Sequence, residues 1–291
     1  MTRLLFDEFS KNLLEGLLTE GGAVQQGYTI ASEVKEVDIL FQPDPNANAS
    51  LQGLGLLGHM ASRFCLIETY RNPVSPANIR ACINRTIEVE LLQSREAKRN
   101  NTPAKQLVLP HLWILTPTAS AATLKGFGAQ QQEQWGQGVY FLTTSLSTAV
   151  VVLHQLPATL DTLLLRLMAR GSVQTQAVAE LLALSTSETF RKVSLQHLAK
   201  LQLTMKTRQK LSKSDQALLN NLQPAYDEWE QETIQKGIEQ GIEQGIERGR
   251  QEERQQILFR TVPVLLRAGF SIDQIAQQLQ VDVETVRQAA Q

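Results

Sequence analysis

Two short apolar runs, Glu33-Val-Lys-Glu-Val-Asp-Ile-Leu-Phe41 and Arg63-Phe-Cys-Leu-Ile-Glu-Thr-Tyr70, constrain this chain more than any other stretch. Each has the length and residue types of a buried strand, and each carries an acid where a purely structural strand would carry none. Side chains alternate along a strand, so Val37, Ile39 and Phe41 share one face, and Glu36 and Asp38 the other. In the second run Cys65 and Ile67 share a face, and Glu68 and Tyr70 the opposite one. A carboxylate on an interior strand is costly unless it is paired or binds a metal. Two such acids on neighbouring strands point first to a divalent-cation site.

The chain has 291 residues, of which 42% are hydrophobic and 20% charged, enough for a real core and unlike a disordered polymer. At ~150 residues each, about two domains are expected. The formal net charge of -1 gives no bulk push toward nucleic acid or membrane, so a basic site has to be local. Cys65 and Cys82 sit in apolar patterns and read as buried, reduced thiols of a cytoplasmic protein. No charged-then-apolar leader opens the sequence, so a signal peptide is not expected. The longest apolar runs fall far short of the ~20 residues a spanning helix needs, and no membrane partner is expected.

Residues 3 to 18 read as an amphipathic helix, with Leu5, Phe9, Leu13 and Leu17 at helical spacing. Strands follow at 24–30, 33–41 and 63–70, with a long connection between the second and third. Ser75-Pro76 then supplies a cap and a first-turn proline for a helix to about Arg99, with Ile79, Ile83, Ile87 and Leu91 on one face. Leu112 to Leu115 and Gly138 to Leu142 read as two further strands. The helix between strands three and four suggests a crossover to a parallel neighbour. From about Leu146 the pattern turns helical: 149–156, 160–169, 173–184 and 187–203.

Residues 215–253 read as one long helix. It contains Lys236-Gly-Ile-Glu, Gln240-Gly-Ile-Glu and Gln244-Gly-Ile-Glu. Each glycine costs ~1 kcal/mol relative to alanine in a helix interior. The stripe Gly237, Gly241, Gly245, Gly249 would repay that cost if a second helix approached closely; otherwise the segment is a semi-flexible linker. At the end, Ser271-Ile-Asp-Gln274 is a capping box and Asp282 a second cap, which makes helix, turn, helix. Residues 271 to 291 hold three acids and one base, Arg287, a poor electrostatic footprint for DNA that favours a packing or dimer module.

The first helix, the three strands, the acid pair and the crossover helix resemble the PD-(D/E)XK nuclease superfamily. More narrowly they resemble its Rpn-like group of recombination-promoting nucleases and transposase-related proteins, in a version associated with cyanobacteria. The matching residues are Phe6-Asp-Glu-Phe-Ser-Lys11, Glu33-Val-Lys-Glu-Val-Asp38, Leu66-Ile-Glu68 and Trp113-Ile-Leu-Thr-Pro117, together with the glycine-repeat helix and Ala268-Gly-Phe-Ser-Ile-Asp-Gln-Ile-Ala276. The resemblance implies a restriction-endonuclease-like α/β core with a mixed sheet, in the order αβββαβ, over residues 1–145. A helical domain over 146–223, the glycine-repeat helix over 224–256 with a homodimer through it, and a helix-turn-helix-like tail over 257–291 would follow.

The implied activity is metal-dependent DNA endonuclease chemistry, linked to recombination or mobile elements. Phosphodiester hydrolysis needs an activated water and neutralised phosphate charge, and a Mg2+ or Mn2+ ion held by carboxylates supplies both. The resemblance assigns Asp38 and Glu68 as metal ligands, with Glu8 or Glu36 as helpers. In the family a lysine follows the second acid by two residues; here that position is Tyr70. Lys11, Arg71 or Lys35 would have to replace it. Lys11 needs only that the first helix pack beside the acids, whereas Arg71 and Lys35 need a strand irregularity. The competing reading is a binding or scaffold protein that kept the fold and lost the chemistry. In that reading Asp38 and Glu68 serve structural ion pairs, with Arg71 or Arg63 as partners.

Overall fold

A computed structural model describes residues 2–30, 35–44, 46, 48–101, 108–185, 189–207 and 213–290. Glu33 and Val34, expected at the start of the second strand, lie outside the described residues. The chain divides into two compact units, Met1–Trp229 and Glu230–Gln291.

The first unit is a mixed α/β structure built on one seven-stranded sheet. It opens with helix α1 (Thr2–Leu18), whose buried stripe is Phe9, Leu13, Leu14, Leu17 and Leu18. Strands β1 (Gly22–Ile30) and β2 (Lys35–Pro43) form an antiparallel pair. Short helices α2 (Asn48–Gln52) and α3 (Leu56–Met60) fill the connection to β3 (Cys65–Thr69), which runs antiparallel to β2. Gly58 lets α3 lie against the carbonyl of Leu51, where any Cβ would collide with that backbone oxygen.

Helix α4 (Pro76–Arg99) crosses over to β4 (His111–Thr116), parallel to β3. The α4 start is as the sequence dictates: Ser75 caps the amide of Asn78, and the Asn78 side chain accepts from the Ser75 amide. Its buried face is Ile79, Cys82, Thr86 and Val89, not the expected Ile79, Ile83, Ile87 and Leu91. A strict four-residue spacing drifts by about 40° per step around a 3.6-residue turn, and Ile87 and Leu91 are carried out to solvent.

Helix α5 (Ala121–Gly126), strands β5 (Gln130–Gln131), β6 (Val139–Phe141) and β7 (Thr148–Val152) complete the sheet in the order β1-β2-β3-β4-β7-β6-β5. Residues 149–156, expected helical, are therefore strand β7 followed by a single 3-10 turn. β7 lies between β4 and β6, and all five of its residues are buried. Helices α6 (Leu163–Leu167), α7 (Ser172–Leu182) and α8 (Thr189–Lys206) follow. The sheet separates two cores. One contains Ile39, Phe41, Cys65, Ile67 and Trp113 with α1 and α6 to α8; the other contains Leu66, Ile114 and Val150 with α4.

Helix α9 (Lys213–Arg267) is a single 55-residue helix, longer at both ends than the sequence suggested. In the second unit α10 (Ile272–Leu279) and α11 (Val283–Ala289) share a small core of Leu258, Val262, Ile275, Ala276, Val286 and Ala289. Both expected caps form, Ser271 with Gln274 and Asp282 with Thr285. Gln280 adopts the left-handed conformation that ends α10. Arg287 is bonded to Glu284 at 3.2 Å, so the one base of residues 271–291 is partly offset by its own helix. Among the described residues no helix is long and apolar enough to cross a membrane.

Candidate active site

The β2–β3 ladder pairs Phe41 with Cys65, Leu40 with Leu66 and Ile39 with Ile67, and there it stops. The next pair in that register would set Asp38 opposite Glu68. Like charges directly opposite on antiparallel strands repel. Beyond this point β3 stays with β4: Glu68 pairs with Ile114, Thr69 with Leu115, and the Tyr70 amide donates to the Leu115 carbonyl at 2.8 Å. At this end of β2, Val37 leaves its expected face and packs in the α4-side core.

The Asp38 carboxylate fills the fork. Its Oδ2 accepts from the Thr69 amide at 2.8 Å and from the Thr69 hydroxyl at 3.1 Å. Its Oδ1 accepts from Lys11 Nζ at 2.8 Å, because α1 lies along this face of the sheet. Glu68 is only 4% exposed, and its Oε1 accepts from Arg85 Nε of α4 at 2.8 Å. Arg85 Nη2 also donates to Cys82 Sγ at 3.3 Å, and that sulfur lies 3.1 Å from the Tyr70 hydroxyl. The Tyr70 side chain is thus tied to α4.

Burial pushes the Glu68 carboxyl up to about 7, and the charge of Asp38 pushes in the same direction, against Arg85 and Lys11. Burial also raises the Cys82 thiol to about 12, with the Glu68 charge adding to it. Cys65 and Cys82 are both free and buried, as the sequence suggested.

Asp38, Glu68, Tyr70 and Arg85 line a cleft of about 460 Å³ whose walls also include Glu36, Thr69, Arg71, Asn72 and Asn78. Of the expected site residues, Asp38, Glu68 and Lys11 come together, Arg71 stands on the cleft wall, and Glu36 reaches it from an exposed position. Glu8 does not join them. It is exposed and lines a small groove with Asn12, His197 and Lys200, between α1 and α8. The Lys35 side chain lies outside the described residues. The ion-pair partners are Lys11 and Arg85 rather than Arg71 or Arg63. Arg85 was missed from sequence. The available signal was its position three residues after Cys82, close to the sheet-facing stripe of α4.

Among the described residues no group of three or more His, Cys, Asp or Glu side chains is placed to hold a metal ion. The two carboxylates nonetheless fit a Mg2+-type ion, which takes one or two carboxylates and keeps several waters. Burial makes the Glu68 charge costly and the neighbouring Asp38 adds to that cost, which a divalent cation would offset. No family model, curated protein or solved structure gives a significant match to the chain.

The Glu68–Arg85 pair makes stability depend on pH. A raised carboxyl pKa means that the folded chain binds the proton more tightly than the unfolded one. Glu68's contribution is then most favourable below about 4.5 and declines as pH rises through about 7. Removing Arg85 leaves a buried charge uncompensated only where Glu68 is ionised. Arg85→Ala should cost about 3 kcal/mol at about pH 8 and much less at about pH 5. Urea unfolding at the two pH values checks this, and an equal cost at both would contradict it.

Proposed function

We propose that this chain is a metal-dependent DNA endonuclease with a restriction-endonuclease-like core, hydrolysing phosphodiester bonds at the Asp38–Glu68 cleft. The observation that carries the reading is Lys11 Nζ, 2.8 Å from Asp38, the acid that shares a cleft with Glu68. The cation absent from the position of Tyr70 is supplied by the first helix instead. The order α1-β1-β2-α2-α3-β3-α4-β4, in which short α2 and α3 fill the β2–β3 connection, with β1 to β3 antiparallel and β4 parallel to β3, supports the αβββαβ core. The link to recombination or mobile elements rests on the sequence resemblance alone.

A Mg2+ or Mn2+ ion held by Asp38 and Glu68 would supply Lewis acidity and lower the pKa of a bound water. The chain's own residues do the rest. Thr69 and Lys11 fix the Asp38 carboxylate from two sides, and Arg85 fixes Glu68. Lys11 brings positive charge to where phosphate oxygens would become more negative. Arg71 on the wall neutralises phosphate but does not give up a proton, since guanidinium stays charged. Local cations thereby overcome the formal net charge of -1.

Removing a group that stabilises transition-state charge costs ~100-fold or more in rate. Plasmid nicking with Mg2+ or Mn2+ should therefore fall by about that factor in Lys11→Ala and Asp38→Ala, with a smaller loss in Arg71→Ala. Equal cutting by all the variants would contradict the assignment. A natural protein that cuts with neither metal would favour the scaffold reading, with Tyr70 in the lysine position as the record of lost activity.

The glycine-repeat part of α9 is proposed to pair with a second copy. Alanine at Gly237, Gly241, Gly245 or Gly249 would meet nothing within 4 Å among the described residues, so no contact within them accounts for these glycines. Ile238, Ile242 and Ile246 beside them are all more than half exposed. A four-residue period exceeds 3.6, so paired helices would wrap right-handedly to keep the stripe in contact. Light scattering should show a dimer that Gly241→Ala with Gly245→Ala weakens by obstructing close approach. If the variant associates as the natural chain does while its helix is stabilised by about 2 kcal/mol, the segment is a linker.

A further inference from the structure

Beside the acid cleft lies a second cavity of about 430 Å³, and Arg71 and Pro73 line both. Its size is in the range of small-ligand sites. Its walls are mostly apolar, from Pro73, Pro117 and Leu218, with a few polar groups set among them. Gln174 is one of these, and it is fully buried. Its Nε2 donates to the Leu167 carbonyl at 3.0 Å, but its Oε1 is buried without a hydrogen-bond partner among the described residues. A buried acceptor without a donor is rare and costly.

The mouth of the cavity is cationic. Arg170 Nη1 lies 3.3 Å from Asn72 Oδ1 and 3.4 Å from the Arg71 carbonyl, which holds its guanidinium beside Arg71. The Arg170 amide donates to His154 Nε2 at 3.4 Å. The eleven-residue helix α7 begins at this wall. Its N-cap, Gly171, has a φ of 61° and nothing within 4 Å of an added Cβ. The amides of a helix start, in a cavity wall that also includes Arg71 and Arg170, favour an anion.

We infer that this cavity binds one nucleotide of the nucleic-acid substrate. Its phosphate would lie on Arg71, Arg170 and the start of α7, and its base would lie between Pro73, Pro117 and Leu218. An exocyclic amino group on the base donates to Gln174 Oε1. The inference rests on the nuclease reading and extends it, because the shared residue Arg71 puts the bound phosphate next to the acid cleft. A base placed here has left its stack, the device used by enzymes that enclose single nucleotides. Adenine and cytosine present a suitable amino group, whereas hypoxanthine presents a carbonyl that repels Gln174 Oε1.

The test is calorimetric titration of the full chain with deoxyadenosine monophosphate, deoxyinosine monophosphate and inorganic phosphate. The adenine nucleotide should bind about tenfold more tightly than the other two. Ala217→Trp, which puts an indole at an exposed wall position of α9, and Arg170→Gln should each weaken it by about tenfold or more. Neither substitution touches the buried core. Equal binding of the adenine and inosine nucleotides would overturn the role of Gln174, and equal binding of phosphate would reduce the site to an anion site. Absence of nucleotide binding in a protein that still nicks plasmid would overturn the cavity proposal alone. Binding in a protein that never cuts would overturn the nuclease reading and leave the nucleotide site standing.

Discussion

The structure around the cleft depends on a repulsion. The antiparallel register of β2 and β3, continued one step past its last pair, would set Asp38 opposite Glu68, and the ladder ends before that step. Two unscreened carboxylates at that place cannot both be charged at low cost, and the molecule answers in three ways. The strands part, so that β3 continues with β4 alone. The Thr69 amide and hydroxyl turn to Asp38. Lys11 and Arg85 arrive from helices on opposite faces of the sheet, one for each acid. Even so, burial, with the charge of Asp38 adding to it, lifts the Glu68 carboxyl to about 7. A structural role would be met more cheaply by apolar residues at both positions, since a buried ion pair is seldom more stabilising than a packed hydrophobic one.

The acid pair was legible because each acid interrupts a short apolar strand pattern, although the alternation itself breaks at Val37, which packs in the α4-side core. Once Glu33 to Phe41 and Arg63 to Tyr70 are strands, Asp38 and Glu68 must stand out from the apolar set. Helix α4 was legible from its local chemistry, Ser75, Pro76 and Asn78, which needs no tertiary information. Strand β7 was not. It is central and buried on both faces, so the period-two signal vanishes and a continuous apolar run is left, which also suits a buried helix. Its β-branched run Val150-Val-Val152 was the available hint.

Partners across space were harder still. Arg85 belongs to α4, and only the angle at which α4 crosses the sheet brings it to Glu68. Glu8 illustrates the converse. It lies three residues from Lys11, yet α8 packs against α1 and gives Glu8 a different neighbourhood. Helical proximity in sequence sets a side chain's direction only to within the width of a helix face. The packing of α1 between the sheet and α8 decides which residue serves the cleft.

Cleft and neighbouring cavity together make an asymmetric surface. The acids gather at the fork, and the cations Arg71 and Arg170 gather where the two spaces meet. Such a division separates the groups that would hold a metal from those that would hold phosphate. The central claim is that Asp38 and Glu68 act as one cation site. Calorimetric titration with Mn2+ addresses it most directly. The account predicts one ion per chain and a loss of affinity of about tenfold or more in Asp38→Asn and in Glu68→Gln separately. Binding that is undiminished in both variants, or no binding by the natural chain, would contradict it.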